Sequence, residues 1–320
     1  MSAKFREYAG WSPALVLTLI LVLAGCGGNS SDNNIGDRLS VVATTGQIGD
    51  MVTRIGGDRV VVTTLMGPGV DPHLYKASAG DVERLRRADL IAFNGLHLEA
   101  KMSEVLQRLN ARQPTLAVGE SVPADKLLSP AEFAGAHDPH IWFDVLLWSG
   151  GITAVTDILC ELDPAHAAGF RERAGIYRDE LVNLDAWTRS AFAGIPAGRR
   201  VLITAHDAFN YLGRAYGLEV RGLQGISTAT EAGTADVQEL VAYIVERRIP
   251  ALFVESSVSP RAIKAVQAAV RDRGFEVTVG GELFSDSMGN AGSPEGTYVG
   301  MVRHNVNTIV GSLGSTDHEH

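Results

Sequence analysis

Residues 163 to 196 read D-P-A-H-A-A-G-F-R-E-R-A-G-I-Y-R-D-E-L-V-N-L-D-A-W-T-R-S-A-F-A-G-I-P, and they decide the architecture. Asp163 suits an N-cap and Pro164 the first helical position, where a missing N–H costs nothing. Phe170, Ala174, Tyr177, Leu181, Leu184 and Trp187 recur at helical spacing, so one face of the helix is apolar. Ala193-Gly194-Ile195-Pro196 is a stop. About 30 residues at 1.5 Å each give a helix of roughly 45 Å, long enough to run along a whole domain. A flexible hinge would show a short Gly-rich crossing instead, so this stretch predicts a stiff spine.

Strand and helix alternate on both sides of it. On the amino-terminal side, strands are expected at Ser40–Thr45, Val60–Leu65, Leu90–Phe93 and Thr115–Val118. Helices are expected near Ile48–Ile55, Asp81–Arg87 and Glu99–Leu109. Beyond the spine the order returns, with strands at Arg200–Thr204, Leu218–Val220, Ala251–Val254 and Glu276–Val279. Helices are expected at Asp207–Tyr216, Asp236–Arg247 and Pro260–Arg273. The fold class is α/β: two βα lobes, residues 39–145 and 199–314, with mainly parallel sheets. Connecting helices in 146–198, including the long rigid one, join them, and residues 315–320 form a tail.

The amino terminus is of another kind. Lys4 and Arg6 precede the apolar run Ala14 to Leu23, which is short for a membrane span and fits a secretory signal over residues 1–25. Leu23-Ala24-Gly25-Cys26 resembles the bacterial lipobox, which makes Cys26 the lipidated first residue of the mature chain. Residues 26–38 then form a flexible tether, and the protein is expected outside the cytoplasm, anchored to the cell membrane. Removing residues 1–25 takes away Lys4, Arg6 and Glu7, a net +1, and moves the charge from −9 to −10. So acidic a chain lacks the basic face that nucleic acid requires. Cys160, the other cysteine, lies in the apolar pattern I-T-A-V-T-D-I-L-C and reads as a buried thiol, leaving no intramolecular disulfide.

In an open parallel sheet, ligands collect beyond the carboxyl ends of the strands. Asp71-Pro72-His73 follows the second strand, and Asp138-Pro139-His140 follows the fourth. Proline fixes its own φ and biases the residue before it to extended backbone, so each imidazole stands on a stiff turn. His206 follows Val201–Thr204 and Asp286 follows the last strand. Three imidazoles and a carboxylate suit zinc and can also hold manganese or iron. Blander readings exist: His206 beside a capping Asp207, Asp286 as the cap of a following turn. The remaining histidines, His97, His137, His166, His304, His318 and His320, read as ordinary. Asp144, Asp207 and Glu255 are candidates for orienting ligand imidazoles through their second nitrogens.

Several stretches carry a family resemblance: D-P-H-L-Y (71–75), N-G-L-H-L-E (94–99), D-P-H-I-W-F-D (138–144), G-I-S-T-A-T-E-A-G (225–233), V-E-S-S-V-S (254–259) and G-G-E-L-F-S-D-S-M-G (280–289). The chain resembles the metal-binding lipoproteins of bacterial manganese, zinc and iron ABC transporters, the cluster A-I or TroA-like family, from Leu39 to Leu313. The resemblance implies two lobes on one long helix and a single divalent cation, Zn2+, Mn2+ or Fe2+, carried as cargo between them. It implies His73, His140, His206 and Asp286 as ligands, and an ABC permease with its ATPase as the partner. Many manganese-specific members have glutamate at the third position, where this chain has His206. Zinc-uptake members often carry a long His-rich loop in the first lobe, and this chain has none.

Two rivals are a secreted zinc hydrolase and a surface adhesin, a role ascribed to some relatives. A catalytic zinc keeps an open position, whereas four protein ligands saturate the ion. H-E-x-x-H, G-x-S-x-G and the P-loop pattern are all missing from the sequence. The chain is therefore expected to be a carrier rather than an enzyme.

Overall fold

Val41, Val42 and Ala43 are buried, as an aliphatic strand must be when helices cover both of its faces. They belong to β1 (Leu39–Ala43) in a computed structural model that describes residues 38–314 apart from Ala134. The expected leader, Cys26, most of the tether and the tail lie outside the described residues.

The amino-terminal lobe continues through α1 (Gly46–Gly56), β2 (Val60–Thr64), α2 (Ala79–Arg87), β3 (Leu90–Phe93), α3 (Ser103–Asn110) and β4 (Thr115–Ala117). Its sheet has the order β2-β1-β3-β4, and every pair is parallel. After α4 (Val145–Ser149), α5 (Gly151–Leu162) and α6 (Ala167–Ala193) comes the second lobe. It consists of β5 (Val201–His206), α7 (Asn210–Tyr216), β6 (Glu219–Gln224), α8 (Thr234–Arg247), β7 (Ala251–Glu255), α9 (Arg261–Asp272), β8 (Thr278–Leu283) and α10 (Tyr298–Gly314). β5 pairs with β6 and β7 with β8, both parallel, and β5 lies alongside β7. The spatial order 6-5-7-8 repeats the 2-1-3-4 of the first lobe.

The spine is α6, preceded by a 3₁₀ turn at Pro164–His166. Phe170, Ala174, Tyr177, Leu181 and Leu184 are buried on one face, while Trp187 is half-buried under the Arg303 guanidinium, 4.6 Å from its ring centre. The expected cap works differently: the Asp163 carboxylate accepts from Arg59 Nε (3.1 Å) and pairs with His166 Nδ1 (2.8 Å), not with a helix N–H. One continuous apolar cluster runs from Val41 and Ile48 through Trp148, Tyr177 and Phe209 to Met301 and Leu313. The lobes therefore share a core, and the spine lies inside it. Val145–Leu162 is apolar enough by length and composition to cross a membrane. It breaks at Gly150 into α4 and α5, and Trp148, Ile152, Val155 and Leu159 are fully buried in that shared core. Cys160 is a free, buried thiol.

Strand β8 starts and ends later than its β-branched residues suggest. The expected strand stops at Val279, before Gly280 and Gly281, yet both lie within the strand. A Cβ on Gly280 would come within 2.7 Å of Ser312 Oγ, and one on Gly281 within 2.6 Å of the Thr308 side chain. Helix α10 lies so close on β8 that only glycine fits, and this close approach outweighs the poor strand propensity. Similarly, β5 extends to His206 and β6 to Gln224, so α7 begins only at Asn210.

If α6 is a core element, Leu181→Ala should lower the unfolding free energy by about 2–4 kcal/mol in denaturant titration. A loss under about 1 kcal/mol would show that α6 only bridges the lobes.

Candidate metal centre

Four strand ends converge on one buried point. His73 stands in the loop after β2 and His140 in the segment after β4. His206 is the last residue of β5, and Asp286 lies three residues past β8. All four are buried, and one donor atom from each lies within 4.8 Å of the others. His73 Nε2 is 3.3 Å from His140 Nε2, which is 3.3 Å from Asp286 Oδ1. His206 Nε2 is 3.3 Å from Asp286 Oδ2, and His73 Nε2 is 3.9 Å from the same oxygen. A tetrahedron of donors about 2.0–2.1 Å from a central ion has edges of roughly 3.3–3.4 Å, which the three 3.3 Å spacings match and the 3.9 Å one exceeds. His206 Nε2 and both Asp286 oxygens have no hydrogen-bond partner. Buried polar atoms are rarely left in this way, and a cation among them would satisfy all three.

The turns explain how the imidazoles are aimed. In each Asp-Pro-His the aspartate accepts the N–H of the histidine two residues on: Asp71 Oδ1 from His73 N, and Asp138 Oδ1 from His140 N, both at 2.9 Å. These are Asx turns, a local habit of aspartate. Asp138 Oδ1 also lies 2.7 Å from His140 Nδ1, which leaves Nε2 pointing into the site. Glu255, the last residue of β7, does the same for His206. Its Oε1 accepts the backbone N–H at 2.8 Å, and its Oε2 lies 2.5 Å from Nδ1. Gly222 on β6 lets this strand end close up, since a Cβ there would lie 2.5 Å from Asp207 N.

Of the three residues expected to orient imidazoles, the structure puts Glu255 against one. Asp144 stands elsewhere: it caps α4 by accepting from Leu147 N at 3.0 Å and faces Arg214 at 3.4 Å. The position it was expected to fill belongs to Asp138. Asp207 is also displaced from that role, because Glu255 occupies the second nitrogen of His206. Sequence reasoning passes over Asp138 as mere turn chemistry, although an Asx-turn carboxylate is already next to the ring it can orient. The other described histidines lie away from the centre. His97 is exposed, His137 pairs with Ser129 Oγ, His166 with Asp163 and His304 with the Glu282 carbonyl.

Charge in the metal-free centre is shared among protons. Burial would raise Asp286, but His206 and His140 outweigh it and hold the carboxyl well below its usual range. Burial would lower His140, yet Asp138 and Asp286 raise it to about 9. His206 is likewise raised, by Glu255 and Asp286 against burial. At His73 burial outweighs the attraction of Asp286 and pushes the ring down to about 3.

The model of the zinc-uptake complex component A, a periplasmic family, matches residues 41–312. The chain belongs to this family. It is 48% identical over 300 residues to the manganese-binding lipoprotein MntA of Bacillus subtilis, covering 94% of this chain and 98% of that protein. It is 54% identical over 275 residues to the zinc-binding protein TroA of Treponema pallidum, covering 85% of this chain and 88% of that one. The solved structure of that TroA superposes with a TM-score of 0.85 at 52% identity, covering 87% of this chain and all of that one. An Fe(III)-bound YtgA from Chlamydia trachomatis superposes with a TM-score of 0.78 at 27% identity, over 88% of this chain and 100% of that one. This zinc-uptake-family chain thus has relatives named for zinc and for manganese at similar distances.

Nitrogen NMR of the metal-free protein tests the proton arrangement. The His140 ring should stay protonated through neutral pH and lose its proton near 9, while His73 stays neutral down to about 3. A His140 that titrates near the ordinary value of about 6.5 would contradict it.

Proposed function

We propose that this protein captures one divalent transition-metal ion, zinc or manganese with iron as a further candidate, and delivers it to an ABC permease for uptake. The observation that carries this reading is the buried set of His73, His140, His206 and Asp286, with one donor atom from each within 4.8 Å of the others and with His206 Nε2 and both Asp286 oxygens unpartnered. The imidazoles supply neutral nitrogens, and Asp286 supplies one or two oxygens. With two positive charges on the ion, one carboxylate in the shell and two behind it at Asp138 and Glu255, the assembly carries one net negative charge. Four protein donors leave no open position for a substrate, and the family is described as part of an uptake complex. Both points favour cargo over catalysis.

Cargo choice is broad because the donors are. An oxygen pair that can bind through one or both atoms permits four-coordinate zinc or a higher number for manganese. His206, a neutral donor where a glutamate would add charge, favours zinc by intrinsic affinity.

The lipid anchor is the second part of the proposal. Signal removal at Gly25-Cys26 and lipidation of Cys26 would hold the domain outside the cytoplasm on residues 26–38, and would deliver cargo where the permease opens. Cys26→Ala should abolish labelling by a fatty-acid analogue and release the protein from the membrane fraction. Labelling that persists would overturn the anchor.

For the centre, the purified protein should hold close to one equivalent of zinc or manganese after dialysis. His140→Ala should weaken binding at least about tenfold, since even partners behind the ligands cost that much. His137→Ala should leave affinity unchanged, and equal losses would show that the site is elsewhere. Binding must displace the protons on His140 and His206, so calorimetry at pH 7 in buffers of different ionisation enthalpy should report release of about two protons. Affinity should therefore fall as pH falls; uptake without proton release would contradict the assignment.

A further inference from the structure

Three of the four proposed ligands are fixed through the backbone of their own segments, by partners from either lobe. The His140 turn is fixed by Tyr211 Oη donating to Asp138 O (2.8 Å), Asp138 N donating to Leu128 O (2.9 Å) and Asn94 Nδ2 donating to Pro139 O (3.1 Å). His206 sits within a strand. Asp286 follows Ser285, whose carbonyl accepts Trp142 Nε1 at 3.0 Å. His73 differs. Among the described residues no carboxylate hydrogen-bonds its Nδ1, and its turn lies in the long loop between β2 and α2. That loop is tied to the opposite lobe by two side-chain hydroxyls. Gly69 N donates to Ser287 Oγ (3.0 Å), and Thr228 Oγ1 donates to Asp71 Oδ2 (2.6 Å). The second tie acts on the ligand directly, because the other oxygen of Asp71 accepts the His73 N–H. Thr228 is buried, but it belongs to the Gly225–Gly233 stretch, where Gly225, Ala229, Thr230, Glu231 and Gly233 are exposed.

We propose that Thr228 is a positioning residue that latches the His73 turn across the cleft through Asp71, and that this single hydroxyl sets how fast the cargo leaves. The inference rests on the metal-carrier reading above. His73 reaches the ion only while its turn is pressed against the second lobe. Departure of the ion therefore begins with the break of the Thr228–Asp71 bond, which frees the ligand with no carboxylate behind its ring. The other three donors stay in place. Affinity tuning of this kind acts on the dissociation rate, with association nearly unchanged.

The test measures transfer of zinc from the loaded protein to excess chelator in a stopped-flow instrument. Thr228→Val keeps the shape and removes the donor, and should speed release by about tenfold or more, the usual effect of losing a hydrogen bond to a charged acceptor. Thr228→Ser restores the donor and should release within about threefold of the parent, a rescue that a packing role would not give. Thr228→Ala, which adds no bulk, should release as fast as the valine variant and serves if that variant folds poorly. The metal-free melting temperature of the serine variant should match the parent, and those of the valine and alanine variants should fall by only about a few degrees, the cost of one hydrogen bond. Adding Asp71→Ala to Thr228→Val should bring little further acceleration, since both remove one latch. Parental release by the valine and alanine variants, or release by the serine variant as fast as theirs, overturns the latch. A parent that holds neither zinc nor manganese overturns the carrier reading with it, whereas a parent with one equivalent and unaltered variants overturns the latch alone.

Discussion

Three imidazole nitrogens and a carboxylate buried together are the constraint on which the rest of the structure depends. Bringing three imidazole nitrogens and a carboxylate within 4.8 Å of each other in a dry interior is unfavourable unless positive charge sits among them. Protons meet that need in the metal-free chain, on His140 and His206, and a divalent ion meets it better. On the proposed reading, the centre exchanges protons for metal. Asp138 and Glu255 make the exchange workable, because each holds its ring with Nε2 inward and spreads the charge of whatever occupies the site.

Such an arrangement needs a frame that resists collapse. The proposed ligands come from loops and strand ends of two lobes, and a loose hinge would let them relax apart. The shared core prevents this: Trp142 donates to Ser285 O across the lobes, Tyr298 donates to Trp142 O, and Phe143 stacks on Phe209 with ring centres 4.3 Å apart. Helix α6 lies beneath as a fixed strut. The β2–α2 loop, which carries the proposed ligand His73, meets the second lobe at the Gly69–Ser287 and Thr228–Asp71 hydrogen bonds.

The fold is legible in the sequence wherever hydrophobic period and turn signals agree. The strand–helix alternation, the spine and the positions of the ligand turns all follow from local patterns in the chain. Misplacements have common causes. The expected strand stops before Gly280-Gly281, but the glycines lie within it and serve the close packing of α10, which is not visible in local sequence. Asp144 reads as a partner for a ligand because it shares the D-P-H-I-W-F-D stretch, yet a helix start claims it. Asp138 escapes notice because an Asx turn looks sufficient explanation for its presence. Thr228 lies 157 residues from Asp71, and only the packing of the lobes brings them together. Local chemistry can be read along the chain, whereas pairings across the cleft need the fold.

X-ray absorption spectroscopy at the zinc edge of the loaded protein addresses the central claim most directly. The account predicts a shell of nitrogen and oxygen donors at about 2.0–2.1 Å with the outer-ring scattering of three imidazoles and no sulfur. His206→Ala should reduce that scattering to two rings. A shell with fewer than three imidazoles, or one unchanged by that substitution, would contradict the assignment of His73, His140, His206 and Asp286 to a single ion.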